Sequence, residues 1–129
     1  MNQEAFKCYM LNIPTIDKQH WELIALLNSL CHQRRSTDIF NENILIEIVK
    51  KLQDHFVYEE QYMRNIEYPY LRFHLIEHAK IMIAMEDILK TKNTATDFTF
   101  IINDLKAGLI DHIDSFDMKI SDYEANRLL

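Results

Sequence analysis

His55 and Glu59 stand four residues apart, and so do His74 and His78. On an α-helix that interval brings both side chains of a pair onto one face, one turn apart, so each pair can close on a single metal ion. Imidazole and carboxylate donors, with no cysteine on the same faces, argue against a thiolate-type structural zinc. They fit iron, with zinc or manganese as the other candidates.

Such pairs need helices to carry them, and the composition favours helices. One Gly and two Pro in 129 residues leave little material for the tight turns of an all-β fold. Apolar residues recur at helical spacing in four stretches, about 16–34, 41–65, 69–90 and 96–123, after a non-periodic arm of about 1–14 anchored by Phe6, Tyr9 and Leu11. Thr15 is the expected N-cap of the first helix, with Asp17 in its first turn, and Asn41 caps the second. Pro69 ends the second helix and suits the first turn of the third. The fold expected is all-α: one domain over 1–129, an antiparallel up-down-up-down four-helix bundle with an N-terminal arm.

The inner faces predicted for these helices carry unusual polar residues. Ile16, Leu23, Leu27 and Leu30 share a face with His20; Leu45, Ile48, Leu52, Phe56 and Met63 share one with His55 and Glu59. On the third helix Ile81, Met85 and Ile88 or Leu89 accompany His74 and His78, and on the fourth Phe98, Ile101, Leu105, Leu109 and Phe116 accompany His112. An apolar stripe is ordinarily just core, and a lone histidine on one is ordinarily a satisfied core residue. Five imidazoles and a carboxylate in one interior would cost several kcal/mol unless something satisfied them, and a metal does so. His32 falls about 120° off the His20 face and reads as a surface residue.

Five imidazoles, Glu59 and a further carboxylate are too many donors for one ion, so two ions sharing carboxylates is the better count. Asp111, Asp114 and Asp117 lie near His112. None is four residues from it, Asp117 at +5 is turned away by about 140°, and spacing does not choose among them.

Charge and segment patterns narrow the partners. A net charge of −6 with no basic cluster excludes nucleic acid as an expected partner. The N-terminal residues show no basic start followed by an apolar run, and no window approaches the roughly 18 apolar residues of a membrane span. The expected location is the cytoplasm, without a membrane partner. Cys8 and Cys31 form no CxxC and no framework, as in a reducing compartment. No clear exposed apolar patch for a partner protein is readable.

The segments IDKQH, HFVYEEQYM, YPYLRFHLIEH and HIDSFD, in this order and spacing, resemble the ligand motifs of the hemerythrin family, most closely its small single-domain bacterial members. The resemblance runs from Ile16 to Asp117. It implies a di-iron site, Fe–O–Fe or Fe–OH–Fe, in which His74, His78 and His112 hold one iron, His20 and His55 the other, and Glu59 and Asp117 bridge them. It thereby selects Asp117, with the helix adjusted near its end so that the side chain can reach. It also implies one open position on the two-histidine iron, where O2 is bound reversibly as a hydroperoxide for storage, delivery or scavenging. NO, azide and peroxide are the related small ligands, and an external reductant keeps the pair active. Leu23, Phe56, Ile81 and Leu109 are the expected apolar shell. A monomer or weak homo-oligomer without enzymatic activity is expected; the alternatives are an O2, NO or redox sensor, or a di-iron oxidase or peroxide-handling enzyme, using the same site.

Two positions depart from the family. Family members usually carry a tryptophan four residues before the last histidine, where this chain has Gly108, its only glycine. Either another side chain such as Trp21 or the arm packs closely against Gly108, or the glycine opens a channel beside the ion pair. The arm lacks the usual tryptophan and has Cys8 and Tyr9 instead.

Overall fold

The computed structural model describes residues 10–33, 42–91 and 98–127. Helix α1 spans Pro14–Gln33, α2 Glu42–Asn65 and α3 Leu71–Thr91; α4, Phe98–His112, continues through a π-helical turn, Ile113–Asp117, into α5, Met118–Arg127. There is no strand among the described residues, and the architecture is an all-α four-helix bundle in which α4, the π turn and α5 form the fourth rod. α1 packs against both α2 and α4, and α2 packs against α3.

Helical spacing accounts for which residues are inside. Ile16, Leu23, Ile24 and Leu27 of α1, Leu45, Ile48, Leu52 and Phe56 of α2, Met85 of α3, and Ile102, Leu109 and Ile113 of the fourth rod form one buried cluster. Each such side chain removed from water contributes roughly 1.5–3 kcal/mol to folding. The apolar clamp at the other end of α2 is a second cluster of Met63, Ile66, Tyr68 and Ile120. Of the expected anchors and inner residues, Phe6, Cys8, Tyr9 and Asn41, with the side chains of Leu30, Cys31, His32, Phe98 and Ile101, lie outside what is described.

Helix ends differ from the spacing in two places, for local reasons. α1 begins at Pro14 rather than beyond Thr15: Asp17 N–H bonds the Ile13 carbonyl, and the Asp17 carboxylate turns back to accept Leu11 N–H at 2.7 Å and Ile13 N–H at 3.2 Å. Proline is at home there because its missing N–H would have had no helical partner. α3 begins at Leu71 rather than Pro69, because Pro69 and Tyr70 form a turn closed by Leu71 N–H to the Tyr68 carbonyl. α2 stops in a Schellman arrangement, with Tyr68 N–H on the Met63 carbonyl, Glu67 N–H on Arg64, and Glu67 at φ 55°. This sharp stop reverses the chain between α2 and α3.

Several apolar side chains are exposed. Tyr70, in the turn before α3, and Phe73, Ile76 and Ile83 of α3 are 59%, 64%, 48% and 59% exposed. No described helix is long and apolar enough to cross a membrane.

Candidate metal centre

His20 lies in the first half of α1, His55 and Glu59 in the second half of α2, His74 and His78 in the first half of α3, and His112 and Asp117 at the end of α4 and of the π turn. Those depths alternate between early and late along the chain, as helices of alternating direction require to bring residues to one level. All seven side chains are buried, so every residue expected at the site is brought together.

The donor atoms fall into two overlapping groups: Glu59, His74, His78, His112 and Asp117, and His20, His55, Glu59 and Asp117, all atoms of each group within 4.8 Å of one another. Both carboxylates belong to both groups, and each divides its oxygens between them. Glu59 Oε1 faces His74 Nε2 at 2.8 Å and His78 Nε2 at 3.0 Å, whereas Oε2 faces His55 Nε2 at 3.2 Å and His20 Nε2 at 3.7 Å. Asp117 Oδ1 faces His74 Nε2 at 2.9 Å and His112 Nε2 at 3.1 Å, and Oδ2 faces His20 Nε2 at 3.1 Å.

The backbone explains how Asp117 reaches. In a regular α-helix a residue five positions on is turned about 140° from the first. In the π turn the Met118 N–H bonds the Ile113 carbonyl, one residue further back than in an α-helix. The wider turn absorbs one extra residue and returns Asp117 to the His112 face.

The donors are oriented from behind. Glu60 Oε2 accepts a hydrogen bond from His78 Nδ1 at 2.8 Å, and Gln19 Oε1 accepts one from His55 Nδ1 at 2.6 Å. Oxygen acceptors place a proton on each Nδ1 and turn each Nε2 toward Glu59. Phe56 stacks on His78 with centroids 3.7 Å apart and planes at 10°, and Phe116 stacks on His112. Gln19 and Glu60 escape a reading of the sequence because each neighbours a donor on the helix, which says nothing of the ring it reaches.

Lone pair facing lone pair needs a cation between. Among the described residues, His20 Nε2, His55 Nε2, His112 Nε2, Glu59 Oε2 and both Asp117 oxygens are buried without a well-formed hydrogen bond. Leaving such groups unpaired is costly, and the donor chemistry fits metal ions shared through Glu59 and Asp117.

Without metal, protons do part of the same work. Burial pulls the His20 and His74 imidazoles down, but contacts with Asp117 and Glu59 outweigh it and raise each to about 9. For His55 burial prevails and its imidazole is lowered. Burial works to raise Glu59, yet four histidines hold it well below the usual carboxylate range. Asp117, pushed up by burial and by Glu59, is held down to about 2 by His112, His20 and His74.

Leu23, Phe56 and Leu109 are buried as expected of an apolar shell, and Ile81 is partly buried. Gly108 is exposed, and a Cβ built on it meets no atom within 4 Å. The close partner expected for Gly108 is therefore absent among the described residues.

A bundle whose helices bring two histidine groups onto a shared pair of carboxylates defines a class, and comparison with known proteins agrees with it. Residues 11–122 match the family described as Hemerythrin HHE cation binding domain, and the chain belongs to the hemerythrin family. Proteins named bacteriohemerythrin from Campylobacter jejuni subsp. jejuni serotypes O:6 and O:2 are each 35% identical over 85 residues. The matched stretch is 64% of this chain and 64% of each relative, so it spans just under two thirds of their length. A third, from serotype O:23/36, is 34% identical over the same length. No solved structure matches the chain.

Proposed function

We propose that this protein holds two iron ions and binds O2 reversibly, with His74, His78 and His112 on one ion, His20 and His55 on the other, and Glu59 and Asp117 shared. The observation that carries this is the division of each carboxylate between the two histidine groups, one oxygen to each. His74, His78 and His112 would hold one ion with three imidazoles and His20 and His55 the other with two, so an external ligand would find room on the His20 and His55 side. Bound there as a ferrous pair, the ions would supply the two electrons that O2 takes up and returns. The chain's own contribution is to fix the rings through Gln19, Glu60, Phe56 and Phe116, and to keep bulk water away with Leu23, Phe56 and Leu109.

The donor set also favours binding over oxidase chemistry. Ferritin-like oxidases use typically four glutamates with two histidines, whereas this site has five histidines and two carboxylates. The name bacteriohemerythrin carried by the Campylobacter relatives points the same way. The reading is that of a non-enzymatic, cytoplasmic carrier, store or scavenger of O2.

The test is an optical spectrum of the anaerobically reduced, iron-loaded protein before and after air. A colourless sample that gains visible absorption and loses it when O2 is removed establishes reversible binding. Direct passage to a stable diferric spectrum with peroxide released overturns it in favour of a redox enzyme or sensor.

A further inference from the structure

We infer that Glu60 is a positioning residue that makes the three-histidine site the tighter and first-filled of the two, a conclusion that rests on the two-metal reading above. The two donor groups are supported unequally. His78 is held from behind by a carboxylate, Glu60, at 2.8 Å, whereas His55 is held by a neutral amide, Gln19, at 2.6 Å. Among the described residues, His20 Nδ1 and His112 Nδ1 have no hydrogen-bond partner.

Both acceptors fix ring and tautomer, but only the carboxylate adds charge. A charge-assisted hydrogen bond draws the Nδ1 proton outward and makes Nε2 the stronger electron donor. His78 is further constrained by Phe56 stacked on its face, so its Nε2 direction is set before any ion arrives. The Glu60 side chain keeps 21% of its surface open. It lines a cavity of about 230 Å³ between α2 and α3 together with His78, Phe56 and Met82. On the other side, the two-histidine group has fewer imidazoles and only the Gln19 amide behind them. An ion held by this weaker donor set would be the one more available to an external ligand.

Titration of the metal-free protein with Co(II), followed by the visible spectrum of the ion, tests this. Glu60→Gln keeps an oxygen acceptor and the side-chain shape but removes the charge. It is expected to weaken binding of the first equivalent by about 10–100-fold, with Glu60→Asp restoring part of the loss. Gln19→Glu is expected to tighten the second equivalent and narrow the gap between the two. Circular dichroism and thermal unfolding of the metal-free variants should match the parent, which separates positioning from a merely structural role. Two equivalents bound with parent affinities in Glu60→Gln, or a loss confined to the second, overturn the inference while leaving the two-metal site standing. Failure of the parent protein to bind two equivalents overturns both.

Discussion

His112 and Asp117 face each other, Nε2 to Oδ1 at 3.1 Å, across a single turn of π-helix. That contact makes Asp117 available to both histidine groups, as Glu59 already is from α2. Donors of the centre are therefore of two kinds, shared and unshared. Glu59→Gln and Asp117→Asn are expected to lower metal occupancy at both sites. His78→Gln touches one group only and is expected to retain about one ion per chain, given the 10–100-fold losses usual for weakened metal sites. Iron per chain by elemental analysis decides it, and two ions retained in either carboxylate variant removes the bridging roles.

Protonation gives a second expectation. His20 and His74 are raised to about 9 in the fold, above the ordinary value of about 6.5. Their contribution to stability is fully present below about 6.5 and is lost as pH rises through about 9. Asp117, lowered to about 2, and Glu59 contribute above the ordinary carboxylate range and lose that contribution as pH falls. His55, lowered, opposes folding as pH falls below its ordinary value. The metal-free protein should thus lose stability in urea between pH 7 and 10, to an extent of about 1 kcal/mol or more. Metal uptake at pH 8 should release about two protons per chain, one each from His20 and His74.

Asp17 closes the N-terminus of α1 through two backbone N–H groups while itself buried. Asp17→Ala is expected to cost about 1–2 kcal/mol in chemical denaturation. Metal stoichiometry should be unchanged, since Asp17 touches no donor among the described hydrogen bonds.

Gly108 sits in the body of α4 with open space where a side chain would be. Gly108→Ala is expected to stabilise the fold by about 0.5–1 kcal/mol, since alanine is the better helix former and meets no obstacle. Gly108→Trp, which adds bulk one turn ahead of His112, is expected to slow autoxidation of the reduced, iron-loaded protein in air. Unchanged rates in a folded Gly108→Trp variant would take Gly108 off the access route.

Much of this was legible in one dimension. Helical period depends only on local backbone geometry, so the spacing of His55 with Glu59 and of His74 with His78 already put each pair on one face, and the apolar residues around them showed that those faces are inward. Five inward histidines in four helices implied a common interior site, because nothing else in such a core satisfies them. The choice among Asp111, Asp114 and Asp117 was different. It turns on a one-residue slip of the backbone hydrogen bonds after His112, which no side-chain period records; only the resemblance to a family selected Asp117, and only the folded backbone displays how it arrives. Gln19 behind His55, Glu60 behind His78 and the return of Asp17 to Leu11 were likewise decided by tertiary structure. Periodicity states which way a side chain points from its own helix, whereas a hydrogen bond between helices depends on their separation and relative rotation, and those are set by the packing of the whole core.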